Sequence, residues 1–152
     1  MVFMETHKAK AEMLINAGRQ RVFESFIDKN EICQFWLDES SGDLAPNTKV
    51  EWTFMVPGAK DTVEVLEFEA NAFLKFKWSD NSIVDMSFFD RFGKSTHIKV
   101  KITGLKSAQH ALDATEGFAI LLCDLKAYLE NGISGRMVSD KAALIAEHNA
   151  DN

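Results

Sequence analysis

Four histidines and two cysteines are the residue types in this chain best suited to proton transfer or nucleophilic attack near neutral pH. The histidines are His7, His97, His110 and His148. His97 alternates with Ile98 beside Lys99 and so points to solvent. No HExxH or comparable ligand spacing joins them, and no metal site is expected. Cys33 and Cys123 are far apart and have no CxxC partner. Both sit beside apolar helix faces, where a thiol behaves as a small buried hydrophobe. Nothing in their spacing pairs either with a histidine. Among carboxylates, Glu64, Glu67 and Glu69 share a polar face, with Asp85 similarly outward. Paired acid–base work needs two carboxyls in different, desolvated environments, and these read as a solvated face. Lys75, Lys77, Lys99 and Lys101 form a modest basic strip with acids interleaved. Gly93 and Gly104 are isolated turn glycines, not a phosphate loop. Tyr128, Glu116 and Asp38 are the few polar residues open to an inward role. No catalytic residue is assigned.

The aromatic residues carry more information. Twelve Phe and three Trp stand against one Tyr. Trp36, Trp52, Phe54, Phe68, Phe76, Trp78, Phe88 and Phe118 fall at inward positions, and with Met86 and Leu122 they form a candidate cavity lining. Such rings either fill a core or hold an apolar molecule by shape. Trp52 and Trp78 are the informative pair, because a buried indole N–H needs a partner. The strands show no inward Arg, Lys, Asp or Glu, so a ligand should lack a strongly charged buried group.

The elements that position these rings follow from periodicity. In Gly117–Gly132, Phe118, Leu121, Leu122, Leu125 and Leu129 recur at helical spacing as one broad apolar stripe. Asp124, Lys126 and Glu130 fall away from it, and Gly132 sits where a left-handed C-cap would stop the helix. Its start lies between Ser107 and Asp113, where Asp113 and Glu116 resemble a capping box. At the other end, Lys8–Ile15 alternates as a strand until Asn16-Ala17-Gly18 breaks it. Arg19–Phe26 is helical, with Val22, Phe23 and Phe26 on one face and Arg21, Glu24 and Ser25 off it. A second short helix is expected from about Asn30 to Trp36, capped by Asp28 or Asn30. Asp38–Asn47 is a polar connector with room for one edge strand.

From Lys49 the period is two. Val50, Trp52, Phe54 and Val56 alternate up to the Pro57-Gly58 turn. In Thr62–Glu69, Val63 and Val65 share a face that Leu66 and Phe68 then take over, which a bulge would reconcile. Phe73–Trp78 follows, then Val84, Met86 and Phe88, then Thr96, Ile98, Val100 and Ile102. Five consecutive strands with short turns make an antiparallel meander. Its apolar face needs a cover, and the helix stripe supplies it. Met137–His148 suggests a peripheral extra helix with Leu144 and Ile145 on its apolar side.

Composition sets the outer bounds. The chain has 152 residues, 46% apolar and 26% charged, with a net charge of -6. One domain is expected over 1–152, its core at about 8–132 and an extension at 133–152. The acidic balance argues against nucleic acid and anionic membrane as partners. Apolar runs are too short for a membrane span, and MVFMETHKAKAEM lacks the apolar region of a secretory signal. Free thiols then point to a reducing cytoplasm.

Strand, two short helices, antiparallel strands and a long final helix, in that order, resemble the helix-grip fold of the START/Bet v 1-like superfamily. Within it the sequence resembles the family named after the activator of the 90-kDa heat-shock chaperone's ATPase. The match is carried by Asn16-Ala17, Arg21-Val22-Phe23, Phe26 and Phe35-Trp36. It continues through Gly117-Phe118, Leu122, Leu125-Lys126, Tyr128-Leu129-Glu130 and Gly132. Two departures bear on the pocket: Phe118 stands where the family usually has Trp, and Gly42–Asn47 holds a single Gly. The resemblance implies an α+β fold, with a curved antiparallel sheet of about six to seven strands wrapped around the long helix. It further implies an apolar cavity between sheet and helix, binding a small apolar ligand without catalysis or cofactor. The alternative it carries is a protein-interaction module that co-activates a chaperone. A third class is an enzyme, since some superfamily members act as cyclases or hydrolases. Monomer and homodimer both remain open.

Overall fold

The computed structural model of the protein describes residues 7–150. The first six residues of the leader stretch read above therefore lie outside the described residues. The chain forms β1 (His7–Ile15), α1 (Arg19–Ile27), α2 (Lys29–Ile32), β2 (Leu37–Ser40), β3 (Lys49–Phe54) and β4 (Lys60–Glu69). It continues through β5 (Phe73–Lys77), β6 (Ile83–Arg91), β7 (Ser95–Leu105), α3 (Ala108–Asn131) and α4 (Met137–Ala150). All strand pairs are antiparallel, in the order β1-β7-β6-β5-β4-β3-β2. The result is the expected α+β helix-grip architecture, a seven-stranded curved sheet with a long C-terminal helix.

Alternation along the strands decides which face is buried. Val50 and Trp52, Val63 and Val65, Leu74 and Phe76, Val84, Met86 and Phe88, and Ile98, Val100 and Ile102 all point into one core. The phase change in β4 is a bulge: the register with β5 shifts between Val65 and Glu67. Leu66 is the extra residue and is exposed, contrary to the expectation that it shares the inner face. Phe68 regains that face opposite Leu74. On the outer face the basic strip is neutralised, with Lys75 between Glu67 and Asp85 and Lys77 beside Glu64.

Because β1 and β2 lie on opposite edges of the sheet, the segment joining them must cross its apolar face. Helices α1 and α2 make that crossing. Phe23 sets its ring against Phe68 and Phe88, at 5.3 and 5.2 Å between centroids. Phe26 packs edge-on to Phe35 at 5.3 Å and to Trp36 at 6.3 Å. Ser25, expected on the solvent side, is 0% exposed, and its hydroxyl donates to the Val22 carbonyl at 2.6 Å. That local bond satisfies the hydroxyl and makes burial tolerable.

One helix boundary and one expected cap differ from the sequence reading, while the start of α3 falls within the expected range. Helix α2 ends at Ile32, and residues 33–36 form turns closed by Gln34 N–H to the Glu31 carbonyl and Trp36 N–H to the Ile32 carbonyl. The chain must turn there because Leu37 already pairs with Phe54. Asp28 is the α2 cap, accepting from the Asn30 and Glu31 N–H groups at 2.8 and 3.0 Å. Helix α3 starts at Ala108, where the Ser107 hydroxyl accepts from His110 N–H at 3.0 Å. Asp113 and Glu116 therefore lie inside the helix rather than at its cap. Its other end is as read: Gly132 at φ 83° donates to the Tyr128 carbonyl at 2.8 Å.

The α1 aromatics make the core sensitive at one ring. Phe26→Ala should lower unfolding free energy by about 3–5 kcal/mol, read as a shifted urea midpoint at unchanged slope.

Candidate functional site

Helix α3 packs chiefly along β1 and touches β7, so its stripe covers one side of the sheet. On the other side, near the ends of β3, β4 and β5, a cleft of about 410 Å³ remains. Trp36, Phe54, Val56, Trp78, Ile102 and Leu105 come from the sheet side, and Phe118 and Leu121 from α3. Helix α4 packs on α3 and closes the cleft with Val138, Lys141, Ala142 and Ile145.

The residues singled out from the sequence divide into two layers. Trp36, Phe54, Trp78 and Phe118 line the cleft. Trp52, Phe76, Met86, Phe88 and Leu122 are buried in the packed core instead, and Phe68 is half-buried against Phe23. Trp52 forms the layer behind the wall, 4.9 Å from the Trp36 ring and 5.5 Å from the Trp78 ring. Its Nε1 is buried with no hydrogen-bond partner among the described residues. The gap thus opens beside Phe118 and Leu121, while Leu122 closes onto the sheet side of the core.

One rim of the cleft is polar. Asp61, Asp80, Ser82 and His110 reach it. Asp61 is the second residue of β4, so the expectation of strands without an inward carboxylate is corrected. Its Oδ1 accepts from Thr62 N–H at 2.7 Å and Ser79 N–H at 3.3 Å. Asp80 Oδ1 accepts from the Ser82 N–H at 2.9 Å and the Ser82 hydroxyl at 2.5 Å. Partial burial opposes ionisation of Asp80, but the two Ser82 bonds and the nearby His110 and Lys106 outweigh it and hold the carboxyl below its usual value. Lys141 pairs with Glu116 on α3.

Asp124 is the residue that periodicity misplaced most. It was read as falling away from the α3 stripe, yet it is 1% exposed. Its Oδ1 accepts from the Ser134 hydroxyl at 2.8 Å and Gly135 N–H at 2.7 Å, and Oδ2 from Val138 N–H at 3.2 Å. One carboxylate therefore holds the α3–α4 loop and the first turn of α4, whose N–H groups lack partners within the helix. The signal available in the sequence was Ser134-Gly135 following Gly132, a loop rich in donors.

The remaining candidates stand apart from the cleft. The Tyr128 hydroxyl donates to Glu31 Oε2 at 2.9 Å, and Arg21 meets the same oxygen at 2.6 Å, clamping α1 and α2 to α3. Asp38 and Cys33 line a separate polar groove. Burial, with Asp38 and Glu39 nearby, pushes the Cys33 thiol up. Cys123 is exposed rather than buried, because the outer side of α3 carries no cover there. His97 meets Glu12 at 2.9 Å. Among the described residues no group of His, Cys, Asp or Glu is arranged to hold a metal, and no helix is long and apolar enough to cross a membrane.

A curved antiparallel sheet gripping a long helix, with an aromatic cleft between them, defines a helix-grip protein. Within that class the chain belongs to the activator of Hsp90 ATPase homolog 1-like family, whose model matches residues 16–130. A Staphylococcus saprophyticus protein of solved structure is similar at 22% identity and TM-score 0.77, over 86% of this chain and 96% of that one. The Aha1 dimer from Colwellia psychrerythraea is similar at 12% identity and TM-score 0.74, over 82% of this chain and 96% of that one. DynU16, a putative protein in the dynemicin biosynthetic locus, is similar at 17% identity and TM-score 0.76, over 84% of this chain and 48% of that one. At these identities the likeness is one of fold. No curated protein sequence matches the chain.

The family match ends at residue 130, so α4 and the Asp124 bonds that seat it lie largely beyond it. Asp124→Ala should cost about 2–3 kcal/mol, because the loop and α4 donors lose a charged acceptor. Hydrogen exchange should speed in 133–150 while β3 to β7 stay protected; uniform deprotection would contradict a local role for this carboxylate.

Proposed function

We propose that the protein binds a small, predominantly apolar molecule in the cleft between the sheet, α3 and α4, as a carrier or sensor and not as a catalyst. The observation that carries this reading is the cleft itself, about 410 Å³ and walled by Trp36, Phe54, Trp78, Phe118 and Leu121. Ligand sites typically span about 300–1,000 Å³ with apolar and aromatic walls and a few placed polar groups. The Arg21–Glu31–Tyr128 cluster, a polar network between the helices, has its groups satisfied by one another and serves packing in this reading.

A second reading follows from the family, whose name describes activation of a chaperone ATPase. It has one feature of its own in support. Leu14, His97 and Phe89 are register neighbours on the outer face of β1, β7 and β6, and Phe92 at the hairpin tip is 89% exposed. In this reading that apolar patch meets the chaperone, and the cleft is incidental.

The two readings separate in solution. A neutral bicyclic aromatic alcohol should bind with one-to-one stoichiometry by calorimetry, and Ala114→Phe, which fills the cleft, should weaken it at least about tenfold. No saturable heat would remove the ligand reading. Native mass spectrometry of the purified protein reports co-purifying small molecules and distinguishes monomer from homodimer. Stimulated chaperone ATP turnover that Phe92→Ser abolishes and Ala114→Phe spares would favour the second reading.

A further inference from the structure

The cleft does not treat both signs of charge alike. Four aromatic rings, those of Trp36, Phe54, Trp78 and Phe118, line it, and two carboxylates, Asp61 and Asp80, stand at its rim. The rings lie close enough to form one box: Trp36 is 5.5 Å from Phe118 and 6.4 Å from Trp78, and Trp78 is 5.8 Å from Phe54. Aromatic boxes attract organic cations through the negative potential over ring faces, and Trp does so most strongly. The carboxylates favour the same sign by Coulomb attraction, in a half-buried setting where screening is weaker than in bulk water.

No lysine or arginine neutralises the rim carboxylates directly among the described residues. Lys141 is the one lysine in the cleft wall, and it is paired with Glu116. Neither Asp61 nor Asp80 forms an ion pair with a lysine or arginine among the described residues; the salt bridges lie elsewhere. Each spends Oδ1 on turn N–H groups or Ser82. No hydrogen bond engages Oδ2 of either among the described residues. Lys106 and His110 lie near enough to Asp80 to favour its ionised form, but no salt bridge joins either to it among the described residues.

Resting on the ligand-binding reading above, we infer that the natural ligand is an organic cation: an apolar, ring-sized body bearing an amine or quaternary ammonium group directed at the Asp61–Asp80 rim. Fatty acids, phenolates and other anions are then disfavoured by the same groups. The rest of the wall, with Val56, Ile102, Leu105, Leu121 and Ile145, is aliphatic and would cover the apolar body of the ligand.

The test uses three probes of one shape on the intact chain: 2-naphthylmethylamine, 2-naphthylmethanol and 2-naphthylacetate, titrated by calorimetry. The ammonium should bind about tenfold tighter than the alcohol, and the acetate weaker than the alcohol. In Asp61→Asn/Asp80→Asn, which keeps the turn acceptors, the ratio of amine to alcohol affinity should contract to about threefold or less. Equal affinities for all three probes in the parent protein would overturn the inference and leave the ligand reading standing. Tightest binding of the acetate would do the same. A preference for the amine that persists unchanged in the double variant would also overturn it, since the carboxylates would then not be its source. No binding of any probe would overturn both readings together.

Discussion

An antiparallel sheet with a single apolar face cannot stand alone in water, and the way that face is covered determines everything else about this molecule. The cover comes in three pieces. Helices α1 and α2, with the turn residues that follow them, cross from one sheet edge to the other and fill the middle with Phe23, Phe26 and Phe35. Helix α3 lies along β1 and β7, the strands next to it in the chain's closing path. Neither reaches the apolar surface at the ends of β3, β4 and β5, and the cleft is what that shortfall leaves. The cavity is thus a consequence of topology: pairing β1 with β7 draws the long helix to one edge, away from the other.

Most of this frame was legible in the chain because it rests on periodicity. Strands of β-branched and aromatic residues alternate strictly, the β4 bulge shows as a phase slip at Leu66, and Gly132 marks the helix end. What periodicity cannot show is which polar side chain finds a partner. Ser25 and Asp124 were both placed with the solvent-facing residues, yet each is buried because the backbone supplies its partner. For Asp124 those partners come from residues beyond the helix, so no window of sequence around it holds the answer. The capping box read at Asp113 and Glu116 failed for a related reason: α3 begins at the Ser107 end of the expected range, and that point depends on where β7 releases the chain.

The cavity residues show a different limit. Strand alternation distinguishes inward from outward but not a wall from the layer behind it. Trp52 and Trp78 both point inward from strands, yet Trp52 is fully buried against Trp36 while Trp78 reaches the cleft. The difference is position along the strand: Trp78 follows the last residue of β5, where the cover stops, whereas Trp52 lies well inside β3. Phe54, at the last residue of β3, lines the cleft by the same rule. Phe54 and Trp78, at or just past the C-terminal ends of β3 and β5, line this site, and Trp52 and Phe76, further inside, fill its core.

Helix α4 changes what the family frame means for this chain. The family match over residues 16–130 includes the aromatic wall, Trp36, Phe54, Trp78 and Phe118, but stops before Val138, Lys141, Ala142 and Ile145. The wall opposite the rings is therefore built from residues outside the shared region. Its attachment includes the buried Asp124 carboxylate, the Lys141–Glu116 pair, buried Ala142 and half-buried Val138. An attachment with few buried apolar side chains opens at lower free energy than one with many. A ligand filling the cleft would add apolar contacts to α4, and its binding would then be coupled to the seating of that helix. The wall that lies beyond the family match is thus also one that a ligand would stabilise.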